Sequence, residues 1–134
     1  MTFALDPGLT RSATAFLDLP LSTALLKEDS RWPWLLLVPR IAGASDLGGL
    51  DESKAAQLMA ETLRASRAVA AEAGVTRTNV GALGNIVAQL HVHVIGRWPG
   101  DAAWPGPVWG VEGKLAYAPA AKAALIARLS ARLA

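Results

Sequence analysis

The chain has 134 residues, of which 52% are hydrophobic and 18% charged, with a formal net charge of +2. That is the length of one domain with enough apolar material for a core, and the small, scattered positive charge gives little support to disorder or to extended nucleic-acid binding. There is no cysteine, which removes disulfides and thiolate chemistry; without a membrane-length apolar run or a signal peptide, no membrane partner is expected and the cytoplasm is the default location.

Asp6 to Ala15 reads as a short leader with one helical turn after Pro7, and Leu19 to Leu26 as a strand. A polar connection, Lys27 to Pro33, leads to Trp34-Leu35-Leu36-Leu37-Val38, a continuous apolar run that Pro39 stops and that suits a strand buried on both faces. Gly43 to Gly49 is loop. Asp51 is placed as an N-cap with Glu52 in the first turn, where the helix dipole favours an acid. From Ala55 to Ala71 the spacing of Leu58, Met59, Ala65, Ala68 and Val69 is helical, with Gly74 as the stop. Thr76 to Ala82 and Ala88 to Gly96 read as strands joined by the turn Leu83-Gly84-Asn85. Pro99 to Tyr117 is rich in Gly, Pro and Trp and is expected to be irregular; Ala118 to Ala134 is a second helix. No repeat or linker interrupts the chain, so residues 1–134 are expected to pack as one α+β unit.

The two histidines of the chain, His91 and His93, lie in Gln89-Leu90-His91-Val92-His93-Val94-Ile95. The alternation has the period of a strand, which predicts Gln89, His91 and His93 on one face and Leu90, Val92 and Val94 on the other. Imidazoles roughly 7 Å apart on a strand face can work on one bound group, since both titrate near neutral pH. By itself such a pair is more often two solvated or satisfied histidines than a site. It could also chelate zinc, given a third ligand from Asp or Glu.

Gln89 to Arg97 resembles the signature of the histidine triad (HIT) family, His-φ-His-φ-His-φ-φ with φ apolar, carried on a strand beside a nucleotide phosphate. Leu35 to Arg40 resembles the family's strand ending in Val/Ile-Pro-Lys/Arg, and Asn79 to Val87 the strand and Gly-containing turn before the triad. Arg97-Trp98-Pro99-Gly100-Asp101 is similar to the continuation in the dinucleoside-polyphosphate hydrolase branch. The likeness spans about Leu19 to Asp101; beyond it, Ala103 to Gly110 looks like the tail of a bacterial subgroup of small HIT proteins, followed by the C-terminal helix.

The resemblance implies an antiparallel sheet of about five strands with a long helix and a C-terminal helix. It also implies a hydrolase or transferase that cleaves a nucleotidyl phosphoanhydride or phosphoramidate through a nucleotidyl-histidine. His91 holds the nucleophile position, with the backbone of the Gly84 turn as the acceptor for its second ring nitrogen. His93 would contact the phosphate and the leaving group as an imidazolium. Asn79 and Asn85 are candidates for the nucleotide site, although either could simply satisfy a turn, and Asp29 is the preferred holder of the ribose hydroxyls. Arg97 and Arg40 are expected to be structural. No metal is required by the chain's own residues, although magnesium could accompany a polyphosphate substrate. A homodimer joined through the long helix and an edge strand is implied, and matches the small residues Ala55, Ala56, Ala60 and Ala68. Burial against a partner would also account for Trp98, Trp104 and Trp109.

Two positions depart from the family pattern. Gln89 stands at the first triad position, where it can donate to a phosphate oxygen but cannot shuttle a proton. Trp34 stands where a supporting histidine is found. The pair is expected to have changed as one hydrogen-bonding unit. If the lost relay stopped turnover, the alternative is a nucleotide-binding or sensing module.

Overall fold

The computed structural model describes residues 2–134. Nine elements follow the chain: α1 (Pro7–Thr10), β1 (Ala13–Asp18), β2 (Ser22–Lys27), β3 (Trp34–Pro39), a 3₁₀ turn at Leu47–Gly49, α2 (Glu52–Ala70), β4 (Arg77–Gly81), β5 (Val92–Arg97) and α3 (Pro119–Leu133). The five strands form one sheet in the order β1-β2-β3-β5-β4, every neighbouring pair antiparallel. The expected α+β class and strand number hold.

Local chemistry explains most boundaries. Asp6 caps α1 by accepting from Gly8 N at 2.7 Å, with Pro7 in the first turn. Asp51 caps α2 by accepting from Lys54 N at 2.8 Å. In α3, Leu125, Leu129 and Leu133 recur every four residues and form the buried stripe. All six residues of β3 are buried, as a continuous apolar run at the sheet centre requires.

Two expectations fail. The helical turn after Pro7 is α1, but the end of the leader and the single strand Leu19–Leu26 are in fact parts of a hairpin: β1 and β2 pair around Leu19-Pro20-Leu21, with a bulge between Ala15 and Leu17. The turn has no Gly or Asn to announce it. Its backbone is satisfied from a distance by Glu61 of α2, which accepts from Leu21 N at 2.8 Å and Ser22 N at 2.9 Å. The strand expected from Ala88 begins only at Val92.

The sheet separates two apolar layers. α2 and α3 cover one face, where Leu35, Leu37, Val92 and Val94 meet Leu58, Val69 and Leu129. Gly96 permits the close approach on this side, because a Cβ there would stand 2.7 Å from Pro33 Cγ and 2.9 Å from Val69 Cγ1. The other face carries Trp34, Leu36, Val38 and Ile95, and is covered by α1 and the irregular stretch around Trp98, Val108 and Trp109. No helix among the described residues is long and apolar enough to cross a membrane.

Candidate active site

His93 lies on β5, opposite Leu36 of β3 and Gly81 of β4, on the face away from α2. His91 comes just before the strand, and the two ring centroids are 4.9 Å apart. Both are buried. They border a cavity of about 500 Å³ whose apolar walls include Leu9, Trp34, Leu36, Val87 and Trp109. A smaller cavity of about 230 Å³ shares Leu83, Gly84 and His91 with it and is walled by Ser45 and Asp46.

The two imidazoles are held in opposite tautomers. His91 Nδ1 lies 2.7 Å from the carbonyl oxygen of Gln89. A carbonyl only accepts, so Nδ1 carries a proton, and the neutral ring is the tautomer whose lone pair is on Nε2. The acceptor is thus Gln89 and not the Gly84 turn, although Gly84, with φ of 71°, does border both cavities. For His93 the partner is a donor, the indole Nε1–H of Trp34, 2.9 Å from Nδ1. Burial, then the repulsion of His91 in its charged form and of Lys27, push His93 down to about 3. The ring is neutral at physiological pH, which corrects the expected imidazolium.

The remaining candidates divide. Asn85 borders the large cavity. Gln89 does not share the histidine face: its side chain accepts from Asp6 N and donates to Ala4 O, each at 2.8 Å, tying the N-terminal segment beside the site. Gln89 and Trp34 therefore bond to different partners and are not one hydrogen-bonding unit. Asp29 is buried away from the cavity and held by Arg31, with Nη2–Oδ2 at 2.8 Å, and by Leu115 N. Burial would raise its pKa, but the Arg31 hydrogen bonds outweigh that and hold it below the usual value. Asn79 accepts from Arg97 Nη1 at 2.7 Å, also outside the cavity. Both carboxylate oxygens of Asp29 and Oδ1 of Asn79 are thus engaged by arginines.

Sequence reasoning missed Lys27 and Trp109. Lys27 ends β2, is the one Lys, Arg, Asp or Glu lining the large cavity among the described residues, and donates to Ser12 Oγ at 3.1 Å. Burial, then repulsion from Lys114, lowers its pKa. Trp109 meets His93 edge-on at 5.5 Å and packs over Gly81, where a Cβ would be 2.9 Å from the indole. Nothing in the local sequence links residue 109 to residue 93.

The stretch carrying Trp109 is anchored by Arg97, which pairs with Asp101 through Nε–Oδ2 at 2.7 Å and Nη2–Oδ1 at 3.0 Å and also donates to Gly106 O. Trp98, Trp104 and Trp109 consequently pack on their own chain, Trp104 beneath the Arg97 guanidinium at 5.7 Å, and need no partner to explain them. Among the described residues no three His, Asp or Glu side chains are grouped to hold a metal ion, so the third ligand a zinc reading requires is lacking.

Comparison with known proteins agrees with this geometry. The family model described as the HIT domain matches residues 10–100. The chain belongs to the histidine triad family. Among solved HIT structures, a histidine triad protein of Bradyrhizobium japonicum is 43% identical over 100% of both chains, with a TM-score of 0.97. One from Sinorhizobium meliloti is 40% identical over 98% of this chain and 97% of its own, with a TM-score of 0.94. One from Marinobacter aquaeolei is 36% identical over 99% and 97%, with a TM-score of 0.95. No curated protein matches the chain. HIT proteins are generally nucleotide-binding hydrolases or transferases.

Proposed function

We propose that this HIT protein cleaves a nucleotidyl phosphoanhydride or phosphoramidate, with dinucleoside polyphosphates among the candidate substrates, through a covalent nucleotidyl-His91 intermediate. The observation that carries the reading is the hydrogen bond from His91 Nδ1 to Gln89 O, which makes Nε2, beside the cavity, the nitrogen that carries the lone pair in the neutral ring. Nε2 attacks the α-phosphorus, and water or another acceptor then releases the nucleotide. His93 donates its Nε2–H to a phosphoryl oxygen, Asn85 supplies a further polar contact, and Lys27 adds positive charge in an otherwise apolar cavity. The protein acts in the cytoplasm as a homodimer joined through α2 and the free edge of β4.

A second reading, binding without turnover, is favoured by one observation: Gln89, at the first triad position, is turned away from the site. Rapid acid quench with a radiolabelled nucleotide separates the two. Wild type should yield a labelled, acid-labile protein adduct that His91→Ala cannot form, and His91→Ala should lose several orders of magnitude in rate while still binding nucleotide. Substantial hydrolysis by folded His91→Ala would remove His91 from the nucleophile role.

A further inference from the structure

Trp34 determines which protons His93 can handle. An indole nitrogen donates a hydrogen bond and cannot accept one, so the 2.9 Å contact from Trp34 Nε1 requires the lone pair of His93 Nδ1. The ring then carries one proton, on Nε2. Adding a second at Nδ1 would set two N–H groups against each other where both residues are more than 90% buried. Lys27, whose Nζ lies 5.5 Å from the Trp34 ring, acts in the same direction by repelling a second positive charge. Neutral His93 can donate Nε2–H as a hydrogen bond, but giving that proton up would leave an imidazolate.

We propose that Trp34 is a specificity-determining residue: by fixing His93 as a neutral donor, it restricts the site to leaving groups that depart as stable anions. Phosphoanhydrides and mixed carboxylic–phosphoric anhydrides are then substrates, and phosphoramidates are discriminated against. The inference rests on nucleotidyl transfer to His91 and names the substrate class of that reaction. His91 Nε2 forms a P–N bond as the bond from phosphorus to the leaving oxygen breaks. The electron pair stays on a phosphate or carboxylate oxygen, which needs no proton at neutral pH. Water then attacks phosphorus, the P–N pair returns to Nε2, and the proton lost by water passes to solvent. A departing amine keeps its pair on nitrogen and must take up a proton, which His93 does not have to give. Lys27, the other nitrogen acid in the cavity, commits one of its three N–H groups to Ser12 Oγ.

The test compares kcat/KM for diadenosine triphosphate, for adenosine 5′-phosphoryl aryl esters of graded phenol pKa, and for adenosine 5′-phosphoramidate. Wild type should favour the anhydride over the phosphoramidate by about 10²-fold or more, the usual worth of an acid catalyst, with rates falling steeply as the phenol pKa rises. Trp34→His, whose ring can accept as well as donate, should narrow the preference by about tenfold and flatten that dependence. In parallel, ¹⁵N NMR should show His93 protonated at Nε2 alone at pH 7, and Trp34→Phe should change the Nδ1 signal even if Trp34→His does not fold. Comparable turnover of phosphoramidate and anhydride by wild type, or a doubly protonated His93 at pH 7, overturns the proposal. If no substrate labels His91, nucleotidyl transfer itself fails and the proposal with it, whatever tautomer the NMR reports.

Discussion

The neutral state of His93 has a cost that can be read as stability. Its pKa is about 3 in the folded protein against an ordinary 6.5, because burial, His91 and Lys27 all disfavour the cation. A group whose folded pKa is depressed contributes its full stability above its unfolded pKa, and loses it as pH falls toward the folded value. Here the window runs from 6.5 down to about 3. Urea unfolding at pH 7.5 and pH 5 should therefore differ by roughly 1–2 kcal/mol on account of this residue. His93→Asn, whose amide oxygen can still accept from Trp34, should remove most of that difference; an unchanged pH dependence would show that His93 is not the responsible group. Asp101 marks a second sensitive residue. Burial would raise its pKa, but hydrogen bonds from Arg97, Trp98 N and Ala103 N hold it well below the usual carboxylate range. Its stability contribution is present above the ordinary carboxylate pKa and lost only in stronger acid. Asp101→Asn leaves the Arg97 guanidinium, 1% exposed, without its countercharge. A loss of about 3–5 kcal/mol is expected, and a loss under about 1 kcal/mol in chemical denaturation would contradict the pairing.

At the scale of elements, two glycines set how closely layers approach the sheet. Gly96 admits Pro33, Val75 and Val69, so Gly96→Ala should cost about 1–3 kcal/mol through overpacking. Gly81 lies on the other face and admits the Trp109 ring. Gly81→Ala should displace Trp109 from His93 and weaken nucleotide binding more than it weakens the fold. Calorimetric titration with AMP beside a thermal melt distinguishes these effects; unchanged affinity would show that Trp109 has no part in binding. Glu61 joins α2 to the β1–β2 turn, and Glu61→Ala strands two buried N–H groups. The expected loss is about 2–6 kcal/mol by denaturant titration, at roughly 1–3 for each buried group left unpaired.

For the whole molecule, one patch of exposed apolar surface lies at the β4 edge of the sheet. β4 pairs only with β5, leaving its other edge open. Beside it Met59 is 58% exposed, Leu63 47% and Val80 49%, with Ala55, Ala56 and Ala60 exposed on the same helix. Ala68, grouped with these alanines on sequence grounds, is instead packed in the core. Pairing of two β4 edges with α2 against its copy would cover this surface in a closed two-fold dimer. Light scattering should give twice the chain mass of 14.0 kDa, and Met59→Glu with Leu63→Glu should give monomers. A monomeric wild type at micromolar concentration would refute the dimer.

The apolar run of β3, the capped helix α2 and the His-x-His segment were legible in the sequence because each is specified by neighbours a few residues apart: apolar periodicity, an Asp N-cap, alternation. The family signature added the antiparallel sheet of about five strands. What stayed hidden depends on partners far along the chain. The β1–β2 turn is held by Glu61, some 40 residues away, and so had no local sign. Strand alternation placed Gln89 beside the histidines, but β5 begins three residues later, and hydrogen bonds to Ala4 and Asp6 turn that side chain elsewhere. Asp29 and Asn79 read as ligand residues in the sequence, and their arginine partners, Arg31 and Arg97, are supplied by the fold. The presence of the two imidazoles is a property of sequence. Their tautomers, one set by the carbonyl of Gln89 and the other by an indole 59 residues distant, were decided only by tertiary structure, because a proton's position follows from which partner the fold brings within hydrogen-bond reach.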